Sequence, residues 1–203
     1  MKPLPIDFGR AKGPPPDQSD LAADVRQLLE KPGRVLCGDI DIRIDAKGQW
    51  FHEGGKINRK GLVNLFSKVL YRDDDGGYWM VTPAEVARII VEDAPFVGLE
   101  LIDLGDKTSD DEPIIRIRTN VDDIVPLDDE HPIRVEVNPE TGEPRPYIVV
   151  RGRLEALIAR SVFYQLVEES EEIEIDGVPV MGVWSSGVFF PLGSIGDAAG
   201  ARP

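Results

Sequence analysis

An α+β fold made by tandem duplication is what this sequence predicts, and three observations predict it. Ile40, Ile42 and Ile44 alternate with Asp39, Asp41, Arg43 and Asp45, the period of a half-buried strand, and Ile133, Val135 and Val137 alternate in the same way 93 positions on. Each run is followed by a turn, Asp45–Gly48 or Asn138–Gly142, and then by a second strand, 49–53 or 147–150. After the second strand an apolar stripe recurs. Leu154, Leu157, Ile158 and Val162 follow Leu62, Leu65, Phe66 and Leu70 at an offset of 92. A strand-turn-strand-helix-strand unit used twice, with mostly antiparallel sheets, accounts for all three.

The elements follow in order. Residues 1–18 hold five prolines and little apolar pattern, so they read as a flexible arm. Ser19 or Asp20 can cap a helix carrying Leu21, Val25, Leu28 and Leu29, which Pro32 and Gly33 stop. After the first strand pair, Asn58 reads as the cap of a helix running to Leu70. Residues 73–77 form a loop, and 78–81 a strand. Thr82-Pro83-Ala84-Glu85 has capping-box spacing, but the β-branched Ile89, Ile90 and Val91 favour one turn and then a strand. Two strands, 96–102 and 113–118, flank an acidic loop. The second strand pair leads into RGRLEALIARSVFYQLVEE, 151–169, read as a helix, then into strands at 180–184 and 187–191. The expected division is an arm (1–18), a first repeat domain (19–125), a second (126–193) and a flexible tail (194–203).

Composition narrows the function classes. Residues 1–72 hold 13 Lys+Arg against 9 Asp+Glu, and residues 73–203 hold 10 against 28, for a net charge of −14. Duplex nucleic acid needs many phosphate contacts, so it is excluded as a partner. A small anion needs only a local basic pocket. No apolar run approaches the ~18 residues of a membrane helix, and the N-terminus has no apolar signal core. Cys37 is the only cysteine, so no disulfide forms within the chain. A cytoplasmic protein without membrane contact or cofactor is expected.

The candidate site rests on cations in unfavourable places. Arg59 and Lys60 open the first helix, and at the offset of 92 Arg151 matches Arg59 and Arg153 matches Gly61, so the second helix also starts with cations. A helix N-terminus carries roughly half a positive charge, which disfavours cations there unless an anion is bound. Trp50 and Trp79 stand near in sequence and could stack a base whose phosphate the cations hold. The alternative is that the cations point into water or pair with acids, at a cost of about 0.3–1 kcal/mol each. The aromatics would then be ordinary core. Two histidines, His52 and His131, cannot make a multi-His metal site. The acids from Asp122 to Glu130 lack calcium-loop spacing. No P-loop, G-x-G-x-x-G or G-x-S-x-G motif is present.

Five segments belong together: CGDIDIRID (37–45), YWMVTPAE (78–85), VEDAPF (91–96), RPYIVVRGRLEALIARS (145–161) and WSSGVFFPLG (184–193). In this order they resemble the bacterial family called domain of unknown function 1285, over about residues 19–193. The resemblance implies a duplicated core of two domains, the second similar to pleckstrin-homology-like folds. It brings no activity, cofactor or catalytic residue, and a suggested nucleotide-like ligand and signalling role. The expected function is therefore a non-enzymatic regulatory module. It would bind a small anionic, nucleotide-like ligand between the repeats through Arg59, Lys60, Arg151, Arg153, Trp50 and Trp79. A protein-interaction adaptor with an acidic face is the alternative. An enzyme using Asp39, Asp41, Glu92, Asp93 or His52 is the third reading.

Overall fold

The structure, a computed structural model, describes residues 13–102 and 112–194. The expected acidic loop and most of the arm and tail lie outside them. The chain divides into two compact units, one of residues up to Pro95 with Gly152–Leu154, the other of Phe96–Arg151 with Glu155 onward. The division falls at Pro95/Phe96 and not after 125, because the strand that starts at Phe96 pairs with one at 154–158.

The first unit contains α1 (Ala23–Leu29), β1 (Val35–Ile44), β2 (Trp50–His52), β3 (Gly55–Lys56), α2 (Lys60–Ser67), β4 (Leu70–Arg72), β5 (Tyr78–Val81) and β6 (Glu85–Val91). Its sheet runs β3-β2-β1-β6-β5-β4. Neighbours are antiparallel except β1 and β6, which pair in parallel from Val35↔Glu85 to Ile44↔Val91. Ile40, Ile42 and Ile44 are buried as their alternation predicts. Leu21 and Val25 of α1 and its approach pack on Trp79 and Val86. Helix α2 turns Phe66 towards Trp50. It starts one residue later than predicted, with Arg59 and not Asn58 as N-cap, and it ends at Ser67. Leu70, expected to extend the helical stripe, instead opens β4 opposite Met80.

The second unit contains β7 (Phe96–Ile102), β8 (Arg116–Thr119), β9 (Ile124–Pro126), β10 (Ile133–Val137), β11 (Pro144–Arg151), β12 (Leu154–Ile158), α3 (Arg160–Glu168), β13 (Glu171–Ile175), β14 (Val178–Ser185) and β15 (Val188–Ser194). One sheet runs β10-β11-β12-β7-β8-β9, again with one parallel pair, β12 with β7. The other is the meander β13-β14-β15. The predicted helix 151–169 is half strand. Gly152, at φ +54°, turns the chain, and Leu154, Ala156 and Ile158 then alternate into the core beside Phe96. Only from Arg160 is the chain helical. At Gly182 a Cβ atom would collide with the Phe189 ring and the Phe190 carbonyl, so the missing side chain is what lets the ring approach the strand there.

The architecture is α+β, mostly strand, with two six-stranded mixed sheets in tandem. The recurring order is longer than the predicted unit. Three strands, a helix and three strands appear as β1–β3, α2, β4–β6 and again as β10–β12, α3, β13–β15. The helix starts, Lys60 and Arg160, are 100 residues apart. The offset of 92 had aligned a helix with a strand.

Candidate functional site

Arg59 and Lys60 stand where predicted. Arg59 is the N-cap of α2 without a side-chain cap bond, Lys60 is its first residue, and both are exposed. The tryptophans stand elsewhere. Trp50 is 1% exposed, with its ring centroid 6.2 Å from that of Phe66, and Trp79 is 2% exposed. The indole N–H of Trp79 donates to Asp73 Oδ2 at 2.6 Å, and the Arg88 guanidinium lies 5.9 Å over its ring. Both rings are consumed by the first unit's core, so neither offers an open face for stacking.

Arg151 ends β11 and Arg153 lies in the two-residue turn 152–153 that follows it, so neither is at a helix start. Arg151 donates from Nη1 to Asp123 Oδ2 at 2.9 Å, and its guanidinium sits 5.0 Å over Phe96. It lines a shallow cavity of about 260 Å³ with Asp123 and His131, whose Nδ1 lies 2.8 Å from Asp128 Oδ1. Two carboxylates therefore already stand beside Arg151 and His131. Arg153 belongs to the first unit. It pairs with Asp74 and, at 3.6 Å, with Asp24. The Tyr71 hydroxyl donates to Asp24.

Burial and the Asp24 carboxylate push the Tyr71 phenol up to about 12. Its folded-state value exceeds the usual ~10 of an unfolded chain, so its contribution to stability is full below pH ~10 and is lost as pH rises towards 12. Urea unfolding between pH 9 and 11 should therefore show wild type losing stability more steeply than Tyr71→Phe. Equal slopes would mean that the phenol is not held neutral by this contact.

A more convergent arrangement lies at the start of α3, in the second unit. A cavity of about 280 Å³ is bounded by the β10–β11 turn and start of β11 (Asn138, Glu143–Pro146), by the end of β12 (Leu157, Ile158) and by α3 (Arg160, Phe163, Tyr164). Helix α3 has no side-chain cap on Ala159, and the first N–H groups of a helix lack intrahelical acceptors. Arg160 Nε donates to the Tyr164 hydroxyl at 2.8 Å, and Nη1 lies 3.2 Å from Glu143 Oε1. The Tyr164 contact and the Glu143 charge hold the guanidinium above its ordinary range, so it is a fixed cation. Arg145 also lines the cavity, with its guanidinium 5.9 Å over the Tyr147 ring. Phe163 is buried, and Tyr164 is exposed. Chemically this is one guanidinium held between a hydroxyl and a carboxylate, beside the apolar side chains of Leu157, Ile158 and Phe163.

Sequence reasoning missed this site because LEALI was taken into the helix, which hid Arg160 in its middle. The signal was present in the strand-like alternation Leu154, Ala156, Ile158. The spacing Arg160 to Tyr164 also puts both on one helix face.

Two of the enzyme candidates, Asp39 and Glu92, are tied into structural contacts. Asp39 accepts from Arg88 at 2.6 and 3.0 Å, which holds its carboxyl below the usual range. Glu92 pairs with Arg43 and accepts from the Ala46 N–H. Burial, helped by Glu85, pushes the Cys37 thiol up, away from nucleophilic thiolate. Among the described residues no three His, Cys, Asp or Glu side chains are grouped to hold a metal ion, and no helix is long and apolar enough to cross a membrane.

Comparison with known proteins gives two family matches. Residues 31–94 match the N-terminal domain of the domain of unknown function DUF1285, and residues 95–192 match the C-terminal domain of the protein of unknown function DUF1285. Among solved structures, a DUF1285 family protein from Silicibacter pomeroyi DSS-3 is 40% identical. The match covers 82% of this chain and 86% of that one, with a TM-score of 0.71. A DUF1285 family protein from Shewanella baltica OS155 is 21% identical over 64% of this chain and 91% of that one, with a TM-score of 0.50, and shares the fold. No curated protein matches.

Proposed function

The chain belongs to the DUF1285 family, and on that footing we propose that it is a non-enzymatic regulatory module binding a small anionic, nucleotide-like ligand in the cavity at the start of α3. The observation that carries the reading is Arg160, which opens α3 and lines a cavity together with the apolar Leu157, Ile158 and Phe163. An incoming phosphate or carboxylate would take the place of Glu143 on Arg160, in the forked geometry guanidinium favours. The volume is near the lower bound of small-molecule sites, roughly 300 Å³, and suits one ring or one sugar phosphate. Arg59 and Lys60, exposed at the equivalent helix start, are the second candidate contact for such an anion. Arg151 and Arg153 rank behind them, because Asp123, Asp74 and Asp24 stand beside them. The same reading takes the two units as products of duplication. It takes the second, with its two packed sheets, as pleckstrin-homology-like.

The test is a thermal-shift panel of nucleotides, cyclic nucleotides and simple phosphates. A ligand at about 100 times its dissociation constant adds about 2.7 kcal/mol. At roughly 2–4 °C per kcal/mol for a chain of this size, the midpoint should rise by about 5–10 °C. The rise should vanish in Arg160→Ala and persist in Arg59→Ala. A rise that survives Arg160→Ala places the anion elsewhere, and no rise with any member removes the reading. A second reading, an adaptor that recognises a basic partner, is favoured by one feature, the acidic edge strand β13.

A further inference from the structure

Strand β13 is an edge of its sheet, paired only with β14 among the described residues. The segment Glu168 to Asp176 holds six carboxylates and no base. Register fixes what each face presents. Ile173 stands opposite Val180, Ile175 opposite Val178, and Trp184 opposite Phe189. These six share one side, while Val183 and Ser185 point to the other side and are buried. The apolar side is open: Trp184 is 43% exposed, Val178 47% and Ile175 40%. Phe189 lies over Gly182 and packs edge-on against Trp184 with centroids 5.4 Å apart, which joins the two ends of the stripe. A contiguous exposed apolar stripe marks an interaction surface more often than a solvated one.

We propose that β13 and this face dock an extended segment of another protein, which adds as a strand to β13 and carries alternating apolar and basic residues. Main-chain hydrogen bonds would come from the unpaired side of β13. Apolar residues of the segment would extend the Ile173–Trp184 stripe. Its lysines or arginines would meet Glu172 and Glu174 across the strand pair, where opposite charges attract and like charges repel. The same charges argue against a second copy of this chain, since two β13 edges would set glutamate against glutamate. The proposal rests on the adaptor reading and is independent of the α3 cavity.

The experiment uses the full chain and three synthetic ten-residue peptides: alternating lysine and valine, alternating glutamate and valine, and the lysine–valine peptide N-methylated on alternate backbone nitrogens. Of the three tryptophans, Trp50 and Trp79 are buried, so Trp184 is the fluorophore that reports on this face. The lysine–valine peptide is expected to shift Trp184 emission saturably and to bind at least tenfold more weakly when N-methylated. Binding to Trp184→Ala, followed by anisotropy of a labelled peptide, should weaken at least tenfold while circular dichroism is unchanged. Equal binding of the N-methylated peptide, or equal binding by Trp184→Ala, overturns docking at β13 while leaving an acidic adaptor surface elsewhere. Failure of the lysine–valine peptide to bind overturns both. A dimer of the free protein that Trp184→Ala dissociates means that a second copy covers the face, and overturns the proposal.

Discussion

Asp73→Ala is expected to lower the unfolding midpoint of the first unit by about 6–12 °C, on the basis of roughly 3 kcal/mol lost at about 2–4 °C per kcal/mol. The carboxylate is 4% exposed and fully engaged. Its Oδ1 accepts the Gly77 N–H at 2.6 Å, and its Oδ2 accepts the Trp79 indole N–H at 2.6 Å. Alanine would leave two donors without acceptors, one of them in the core, and an unmet buried donor costs about 1–3 kcal/mol. The DDDGG turn is built around this residue, since Gly76 also donates to its carbonyl and its own N–H donates to Gly77. Asp73→Asn should not rescue the turn. An amide has one acceptor oxygen, and its NH2 would face whichever donor remained. Adding Trp79→Phe removes the indole donor, so the double variant Asp73→Asn/Trp79→Phe should lose less than the two single losses summed. Strict additivity in thermal unfolding would show that the indole contact contributes nothing.

Arg134→Ala is expected to cost about 2 kcal/mol, below the roughly 3–5 kcal/mol of a fully buried broken pair because water reaches the arginine. Arg134 forks onto Glu155, with Nε to Oε1 at 2.5 Å and Nη2 to Oε2 at 2.9 Å. The Glu155 side chain is 12% exposed and that of Arg134 43%. The guanidinium also lies 4.2 Å over the Tyr147 ring and pairs with Glu136. The Glu155 fork is the chief reason that Arg134 is held well above the ordinary arginine range. Its removal leaves a carboxylate in the β12 strand without its forked partner. Replacing both charges by apolar side chains avoids that, so Arg134→Met/Glu155→Met should recover most of the loss in urea unfolding. A double variant as unstable as the single one would mean that packing, not charge, is what Arg134 supplies.

The strands were legible where one face is wet. Ile40–Ile44 and Ile133–Val137 announce themselves by alternation, because glutamates, aspartates and arginines fill the outer positions. Strand β12 was not, because it is covered on both sides. Leu154, Glu155 and Ala156 are all buried, and the alternation Leu154, Ala156, Ile158 is masked because LEALI also fits the apolar stripe of the helix that follows. The short strands β3, β4 and β9 have two or three residues and no period to detect. For the site, Arg59 and Lys60 were legible as a helix start, from the cap-like Asn58 and the apolar stripe behind them. Arg160 was missed only because the start of the second helix was misplaced. Charge partners were beyond sequence. Nothing local says that Arg153 meets Asp74, or that Trp79 gives its N–H to Asp73 and not to a ligand.

The single parallel pair in each six-stranded sheet closes that sheet's longest loop. Within the first unit, β2 lies five residues beyond β1 and β6 three beyond β5, so these ladders close short loops. The β1–β6 ladder joins residues 50 apart, as Val35↔Glu85 shows. β7 and β12 are joined across 60, as Phe96↔Ala156 shows. Loop closure costs entropy as the logarithm of length, and a distant ladder is rewarded only after its ends have met. The meanders can each gain hydrogen bonds alone, whereas the parallel seam gains nothing until both exist. Within each sheet it is the ladder with the longest loop to close, and it alone joins two local hairpin arrays into one sheet.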